Sequence, residues 1–201
     1  MERFEKIEAV AAPLAMMNVD TDQIVPSRFI RKPRSAGFAD YLFYDLCFDE
    51  AGKERAEFIL NQPAWRSARI IVAERNFGCG ASREQVVYAL WDRGMRAVVA
   101  PSFGDIFYNN CIANAILPVV LKDDEVAHLL TALTNDPGSR LAIDLKEQTV
   151  RGSHDRVYTF DIAPFNKHCL LNGVDEIDFT LQHRDEIVRH SRKVREATPW
   201  I

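Results

Sequence analysis

Short apolar runs alternate with amphipathic segments through the middle of the chain. Patterns of short buried strands occur at 69–73, 96–100 and 116–121, and helical patterns lie between them at 82–93 and 102–113. In the first helical segment the apolar side chains share one face, and Gly94 follows as a natural C-terminal cap. Strands that alternate with helices predict an α/β fold whose parallel strands are joined by helical crossovers.

The second half of the chain shows a different pattern. A helix is predicted at 125–133, antiparallel strands at 140–145, 149–151 and 157–161, and further helices at 164–171 and 177–194. The first quarter predicts loops, among them a basic loop at 28–37, followed by a short helix and a turn at 38–48. Since no linker or repeat separates these parts, we expect one domain over residues 1–201.

Composition excludes several classes of protein. The chain has 201 residues with 25 Lys and Arg against 29 Asp and Glu, a net charge of −4 that predicts no nucleic-acid partner. No apolar stretch approaches the ~18 residues that span a bilayer, and the mixed charges at 1–6 make a poor signal peptide. We therefore expect a cytoplasmic protein without a membrane partner.

The cysteines bear on metal binding. The four of them are widely spaced and form no C-x-x-C pair, so we expect this chain to hold no zinc ion or iron–sulfur cluster alone. Any metal that the chemistry needs is expected to come from a partner.

The strongest local signal is the segment 75–85, with the sequence RNFGCGASREQ. It follows a predicted strand, and its glycines let the backbone come close to a ligand. The helix after it offers free N–H groups to an anion, and Arg83 adds a bidentate partner for a carboxylate. Ser82 with Gln85 fits a capping box, so Ser82 is either a structural cap or a ligand contact, and the two roles are compatible.

Two other interpretations of this turn are weaker. A dinucleotide-binding motif needs a third glycine, and a phosphate-binding Walker loop needs a Gly-Lys-Ser/Thr that is missing here. Cys79 is a conceivable nucleophile, but a small residue packed in a tight turn is favoured because no histidine lies near it in the sequence.

Two further polar segments interrupt the apolar pattern. At 18–24, Asp20 and Asp22 could bind a cation or orient a base, although such a pair more often makes a turn and a helix cap. At 101–111, Ser102 with Asp105 predicts another helix cap.

In their order and spacing, these segments resemble the small subunits of bacterial 3-isopropylmalate dehydratases. The likeness covers nearly the whole chain and is carried by NVDTDQIVP (18–26), NFGCG-x-SRE (76–84), PSFGDIF (101–107), HCLLNG (168–173) and LQH (181–183). A more distant likeness is to the fourth, mobile domain of aconitase. The resemblance implies an α/β fold of the three-layer β/β/α swivelling type.

The resemblance also implies a reaction and a partner. The reaction is the removal and re-addition of water that converts 2-isopropylmalate to 3-isopropylmalate in leucine synthesis. A large subunit, in a heterodimer or a heterotetramer, would hold a [4Fe–4S] cluster whose open iron acts as a Lewis acid. This chain would close over the malate-type substrate and bind no cofactor itself.

Site residues follow from the resemblance by position. Arg83 and the helix N-terminus would stabilise the charge that develops on the substrate carboxylate, and Asp22 would lie near the base. Either Arg31 or Arg34 would read the substrate, and Phe29 and Ile30 would sense the isopropyl group.

The turn departs from the family pattern at one position. The family has Gly-Ser-Ser-Arg-Glu-His, with the first serine as the base, whereas Ala81 follows Gly80 here and Ser82 keeps the place of the carboxylate contact. Either Ser82 or a water would then serve as the base. Two alternatives follow: a related hydro-lyase for another malate, such as dimethylmalate or citramalate, or a non-catalytic paralogue that stabilises the large subunit.

Overall fold

The computed structural model describes residues 1–152, 156–198 and 200. The strands are β1 (Lys6–Leu14), β2 (Ile70–Ala73), β3 (Ala97–Ala100), β4 (Leu117–Val120), β5 (Arg140–Asp144), β6 (Thr149–Arg151) and β7 (Val157–Thr159). The α-helices are α1 (Thr21–Ile24), α2 (Tyr44–Cys47), α3 (Glu84–Asp92), α4 (Asp105–Ala113), α5 (Asp123–Asn135), α6 (Pro164–Asn172), α7 (Glu176–Leu181) and α8 (Arg184–Ala197). Short 3-10 turns occupy Ser27–Phe29, Arg34–Ala36, Ala39–Tyr41 and Ile59–Asn61.

All seven strands form one sheet in the order β4-β3-β2-β1-β5-β6-β7. The strands β1 to β4 are parallel, with α3 and α4 in the crossovers, whereas β5, β6 and β7 continue the sheet in antiparallel register. The α/β fold and its parallel half are confirmed. The carboxyl ends of the parallel strands lie on one edge, where ligand sites of such sheets usually form.

The strand β1 was missed by the sequence analysis, although it joins the two halves of the sheet. It pairs with β2 on one side through Leu14 and with β5 on the other side only as far as Val10. Pro13 therefore lies where β1 is an edge on one side, a position at which strands tolerate proline. Because proline within an apolar run argues against a central strand, the sequence analysis predicted no strand here.

Two apolar cores lie on opposite faces of the parallel strands, because successive strand residues point to opposite sides. On one face Ala11, Val72 and Val99 pack with the buried stripe of α5. On the other face the aromatic N-terminal segment and α3 cover the neighbouring residues of the same strands. The loops after these strands therefore emerge from a sheet that is packed on both faces.

The C-terminal helix predicted at 177–194 is in fact two helices. The α7 helix ends at Leu181 and α8 begins at Arg184, so the prediction of one continuous helix was wrong. No described residue of α7 or α8 is buried. Among the described residues, no helix has both the length and the apolar composition that crossing a bilayer requires.

Candidate functional site

Three loops meet beyond the carboxyl ends of β1, β2 and β3. The loop after β1 pairs with the glycine turn after β2 through a parallel bridge between Asp20 and Cys79, and the turn pairs with the loop after β3 through Phe77 and Phe103. The N–H of Gly78 donates to Val19 over 2.7 Å. The three segments that the sequence analysis singled out therefore form one site.

The glycine turn is held by close contacts that only glycine allows. Gly78 has a φ of 72°, and a Cβ built there would overlap the ring of Phe107. At Gly104 a Cβ would lie 2.5 Å from the carbonyl oxygen of Gly78. These contacts fix the position of the backbone that leads into Ser82 and Arg83.

Arg83 and Asp22 form a bidentate ion pair across the site. The two guanidinium nitrogens donate to Oδ1 and Oδ2 of Asp22 over 2.5 and 3.0 Å, and the N–H of Ser27 donates to Oδ1 over 3.1 Å. The hydrogen bonds from Arg83 lower the pKa of Asp22 below its ordinary value. The Arg83 side chain is only 16% exposed, so its fork has a fixed direction.

The structure corrects the predicted helix cap at Ser82. Arg83, rather than Ser82, occupies the N-cap position of α3, and no side chain caps it. Ser82 is exposed, like Gly80 and Ala81, and because it precedes the N-cap it forms no capping box with Gln85. The Gln85 amide instead donates to the carbonyl of Ile30 over 3.4 Å. The cap role of Ser82 was therefore wrong, whereas its role as a ligand contact is untested.

In the other two loops, the cap predicted at Ser102 is absent and the cap predicted at Asp20 is present. Ser102 does not cap α4, whose N-cap is Gly104. Its hydroxyl instead accepts a hydrogen bond from the N–H of Asn76 over 2.9 Å. Asp20 does cap α1, in a capping box with Gln23, as one of the two interpretations of that segment predicted.

The basic loop at 28–37 holds its two candidate arginines differently. Arg34 donates two hydrogen bonds of 2.6 Å to Asp92 of α3, and its guanidinium lies 4.6 Å from the ring centre of Tyr88. Asp92 also accepts from the N–H of Phe38 over 2.8 Å. Arg31 is exposed and forms no hydrogen bond within the described part of the chain. Arg34 is therefore held by an ion pair with Asp92, whereas Arg31 has no such partner in the described part of the chain.

The apolar pair that precedes Arg31 is half-buried. Phe29 stacks on Tyr41 with ring centres 4.4 Å apart, and both Phe29 and Ile30 pack against the core beside α3. The same loop therefore presents a partly buried apolar surface beside an exposed cation.

A cavity of about 200 Å³ lies between the three loops. Its polar lining comes from Thr21, Arg83, Asp105 and Asn110, and Ala81 also lines it. Thr21 is only 3% exposed, and its hydroxyl has no hydrogen-bond partner among the described residues. The sequence analysis gave no role to this hydroxyl, because nothing in a Thr-Asp pair shows that the threonine is buried.

The cysteines are all free thiols. Burial raises the pKa of Cys47 to about 11 and also raises the pKa values of Cys111 and Cys169. Cys79 is half-buried, and its sulfur forms no hydrogen bond to a base among the described residues. Within the same part of the chain, no three His, Cys, Asp or Glu side chains are grouped so that they could hold a metal ion.

Family models match most of the sequence. Residues 1–124 match the model described as the aconitase C-terminal domain, and residues 127–164 match a second one described as LeuD_N. The first match includes all three loops of the site.

Relatives of known name match over the full length. The 3-isopropylmalate dehydratase small subunits of Parvibaculum lavamentivorans and Rhodospirillum rubrum are each 45% identical over 201 residues, covering 100% of this chain and 100% and 97% of theirs. The crystal structure of 3-isopropylmalate dehydratase (leuD) from Methanocaldococcus jannaschii matches with a TM-score of 0.65 at 26% identity, over 92% of this chain and 99% of that one. With its three loops gathered at one sheet edge, the chain belongs to the family of 3-isopropylmalate dehydratase small subunits.

Proposed function

We propose that this chain, together with a large iron–sulfur subunit, isomerises 2-isopropylmalate to 3-isopropylmalate through isopropylmaleate. The observation that carries the proposal is the ion pair of Arg83 and Asp22 at the end of the glycine turn. It supplies a fixed carboxylate-binding fork in a chain that is 45% identical to subunits of that name. The whole chain then acts as one swivelling domain that closes over the substrate.

Arg83 is the main carboxylate clamp in this proposal. Removing a proton next to a carboxylate places negative charge on that carboxylate, and a preorganised cation stabilises it. Asp22 keeps the guanidinium in position before substrate arrives, and the unpaired N–H groups at the start of α3 add to the positive potential. Ser82, which is exposed beside Arg83, offers a hydroxyl to the same carboxylate, and the backbone of Gly80 and Ala81 lies alongside.

Arg31 is the better candidate for reading the second carboxylate. Arg34 gives both of its terminal nitrogens to Asp92, whose side chain is only 17% exposed, so a substrate carboxylate would have to displace a largely enclosed partner. The Asp22 partner of Arg83 is 53% exposed, so it can give way to a substrate carboxylate. Arg31 has no such competitor among the described residues. Phe29 and Ile30 then offer their exposed portions to the isopropyl group, with the aromatic stack behind them.

The partner subunit completes the site. A [4Fe–4S] cluster on the large subunit would supply Lewis-acid chemistry at the substrate hydroxyl. The residues of this chain orient the substrate and bind its carboxylates when the domain closes.

The test is co-expression with the cognate large subunit under anaerobic conditions, followed by hydration of isopropylmaleate monitored by its ultraviolet absorbance. Turnover well above that of the large subunit alone supports the proposal. Dimethylmaleate and citraconate serve as matched competing substrates. A preference for either one would replace the proposal with a related hydro-lyase, and a stable complex without turnover on any of them would replace it with a non-catalytic paralogue.

A further inference from the structure

A second cavity, the α5 cavity, lies where the same three loops meet α5. Its volume is about 600 Å³, against about 200 Å³ for the cavity beside Arg83. Most of its lining is apolar and includes Ala15, Ala127 and the buried Val126 and Leu130. Contact of apolar surface with water is unfavourable, so an apolar group that filled this cavity would be stabilised there. The proposed function gives the cavity no role.

The α5 cavity adjoins the candidate site. Met17 of the first loop, Arg75 of the second and Pro101 of the third line it. In each loop, a residue three or four positions later lines the cavity beside Arg83. Because four residues of chain span at most about 14 Å, the two cavities are neighbours at the same edge of the sheet.

A partner that covers the candidate site reaches the α5 cavity. A stable interface buries about 800 Å² of each partner, which corresponds to a patch roughly 30 Å across. In the proposed function, on which this inference rests, the large subunit lies over the end of the glycine turn, because the cluster it carries has to meet the substrate that Arg83 holds. Exposed apolar side chains extend the surface at this edge, since Met17 is 61% exposed and Val120 at the end of β4 is 41% exposed. A footprint of ordinary size centred on Arg83 therefore includes the cavity.

The polar groups around the α5 cavity do not suit a small polar ligand. The hydroxyls of Thr131 and Thr134 donate to carbonyls of their own helix over 2.9 and 2.8 Å. Arg75 and Asp123 form a bidentate ion pair with each other at the rim. Glu74 differs from them, because its carboxylate accepts no hydrogen bond and forms no ion pair within the described residues. The cavity therefore offers an apolar surface with an unpaired carboxylate beside it.

We propose that the α5 cavity receives a large apolar side chain of the large subunit, and that a lysine or arginine next to that side chain pairs with Glu74. Interfaces are held mainly by a few large side chains that fill pockets, and a charge at the rim directs association. The apolar lining fits the first requirement and Glu74 fits the second. Because Arg75 and Pro101 line the cavity and belong to loops of the site, the contact holds these loops against the large subunit.

The first test fills the cavity and measures binding rather than turnover. Ala127 is exposed on α5, so Ala127→Glu places a bulky charge in the cavity without disturbing the core. The dissociation constant for the purified cognate large subunit, measured anaerobically by biolayer interferometry, should rise about 30-fold or more. Ala113→Glu is the matched control, because Ala113 is an exposed alanine of α4 that does not line the cavity, and its constant should stay within about threefold of wild type. An unchanged constant in Ala127→Glu would overturn the proposal.

The second test concerns the charge at the rim. Glu74→Gln should raise the dissociation constant about three- to tenfold and make it less sensitive to salt, because an interfacial ion pair is lost. Glu147→Gln is the control, since it changes an exposed carboxylate in the turn between β5 and β6, and it should bind like wild type. If Glu74→Gln keeps the wild-type constant and salt dependence, no cation of the large subunit meets Glu74, and that part of the proposal is wrong.

Other occupants of the cavity give different results. If sedimentation shows that the free wild-type chain is a dimer and that Ala127→Glu dissociates it, the cavity belongs to a contact between two copies and the proposal is overturned. A complex with the large subunit that has no turnover on any substrate, and that Ala127→Glu dissociates, supports the docking site while the proposed function fails. A wild-type chain that binds no large subunit overturns both.

Discussion

The glycine turn at 76–83 and the basic loop at 28–37 both border the site, but different forces hold them. The turn is fixed by backbone pairing on both sides and by the ring of Phe107 beneath Gly78. The loop is fixed by ion pairs of exposed arginines, Arg28 with Asp45 and Arg34 with Asp92, and by aromatic stacking. An added methyl group in a closely packed region destabilises the fold, whereas each exposed ion pair contributes little to the free energy of unfolding.

This difference matches a division of tasks. In the proposed function, stabilising a developing charge requires donors that do not move during the reaction, and Arg83 on the turn would provide them. Distinguishing one substituted malate from another requires a surface that can be changed without unfolding the protein, and the loop would provide it. We expect substrate preference to vary through the loop and turnover to depend on the turn.

The largest effect is expected from an added methyl group in the turn. Gly78→Ala should lower the free energy of unfolding by about 3 kcal/mol, because the new Cβ meets the Phe107 ring and a left-handed backbone is unfavourable for alanine. Gly52→Ala, outside the turn, is the control, since Gly52 has a similar φ of 76° with nothing within 4 Å. Its cost should be about 1 kcal/mol in urea unfolding. Equal costs would show that packing does not fix the turn.

A change of the clamp should affect turnover rather than folding. Arg83→Lys in the assembled complex should lower kcat/KM about 100-fold, because lysine cannot replace a bidentate fork. Arg28→Lys, which changes an exposed arginine of the loop in the same way, should stay within about twofold of wild type. Steady-state kinetics on isopropylmaleate compares the two variants. Similar losses in both would remove the distinction between the two regions.

The two arginines of the loop should separate in substrate binding. Arg31→Gln should raise KM about tenfold, because a cation that meets the substrate carboxylate is lost. Arg34→Gln should change KM less than Arg31→Gln, because Arg34 is engaged by Asp92. The opposite order of KM values would transfer the substrate-reading role to Arg34.

The ion pair of Arg34 with Asp92, which holds the loop against α3, should contribute modestly to the free energy of unfolding. Burial would raise the pKa of Asp92, but hydrogen bonds from Arg34 and the N–H of Phe38 outweigh it and leave that pKa lowered. Asp92→Asn should cost about 1 kcal/mol, since a charged acceptor of several bonds is lost, and Asp45→Asn about half as much. Urea unfolding of both variants compares the two losses in the free energy of unfolding. A larger loss in Asp45→Asn would contradict the prediction.

The smallest effect is a pH dependence in the acid range. The hydrogen bonds from Arg83 lower the pKa of Asp22 below its ordinary 3.8 in the folded chain, so this pair stabilises the fold fully above that value. The contribution is lost as the pH falls through the lowered pKa, and it is only about a few tenths of a kcal/mol because the Asp22 side chain is 53% exposed. An NMR titration should show the midpoint of Asp22 rising in Arg83→Gln. The midpoint of Asp45, which pairs with Arg28, should stay in place.

The sequence by itself determined the alternation of strands and helices in the parallel half and the segments that form the site. These features are local: a strand of apolar residues, a glycine turn and a helix face are each written in consecutive residues. It also determined that Asp20 could cap a helix, because the capping box lies within four residues. The family resemblance could also be found in the sequence, because each of its motifs is a short contiguous stretch.

Only the tertiary structure decided how those segments are used. It placed β1 in the centre of the sheet despite Pro13. It also paired Arg34 with Asp92, 58 residues away, whereas Arg31 has no such partner among the described residues. It also buried the Thr21 hydroxyl beneath the glycine turn. Each of these outcomes depends on contacts between residues far apart in the chain, and a local pattern carries no information about which distant group will fold against it.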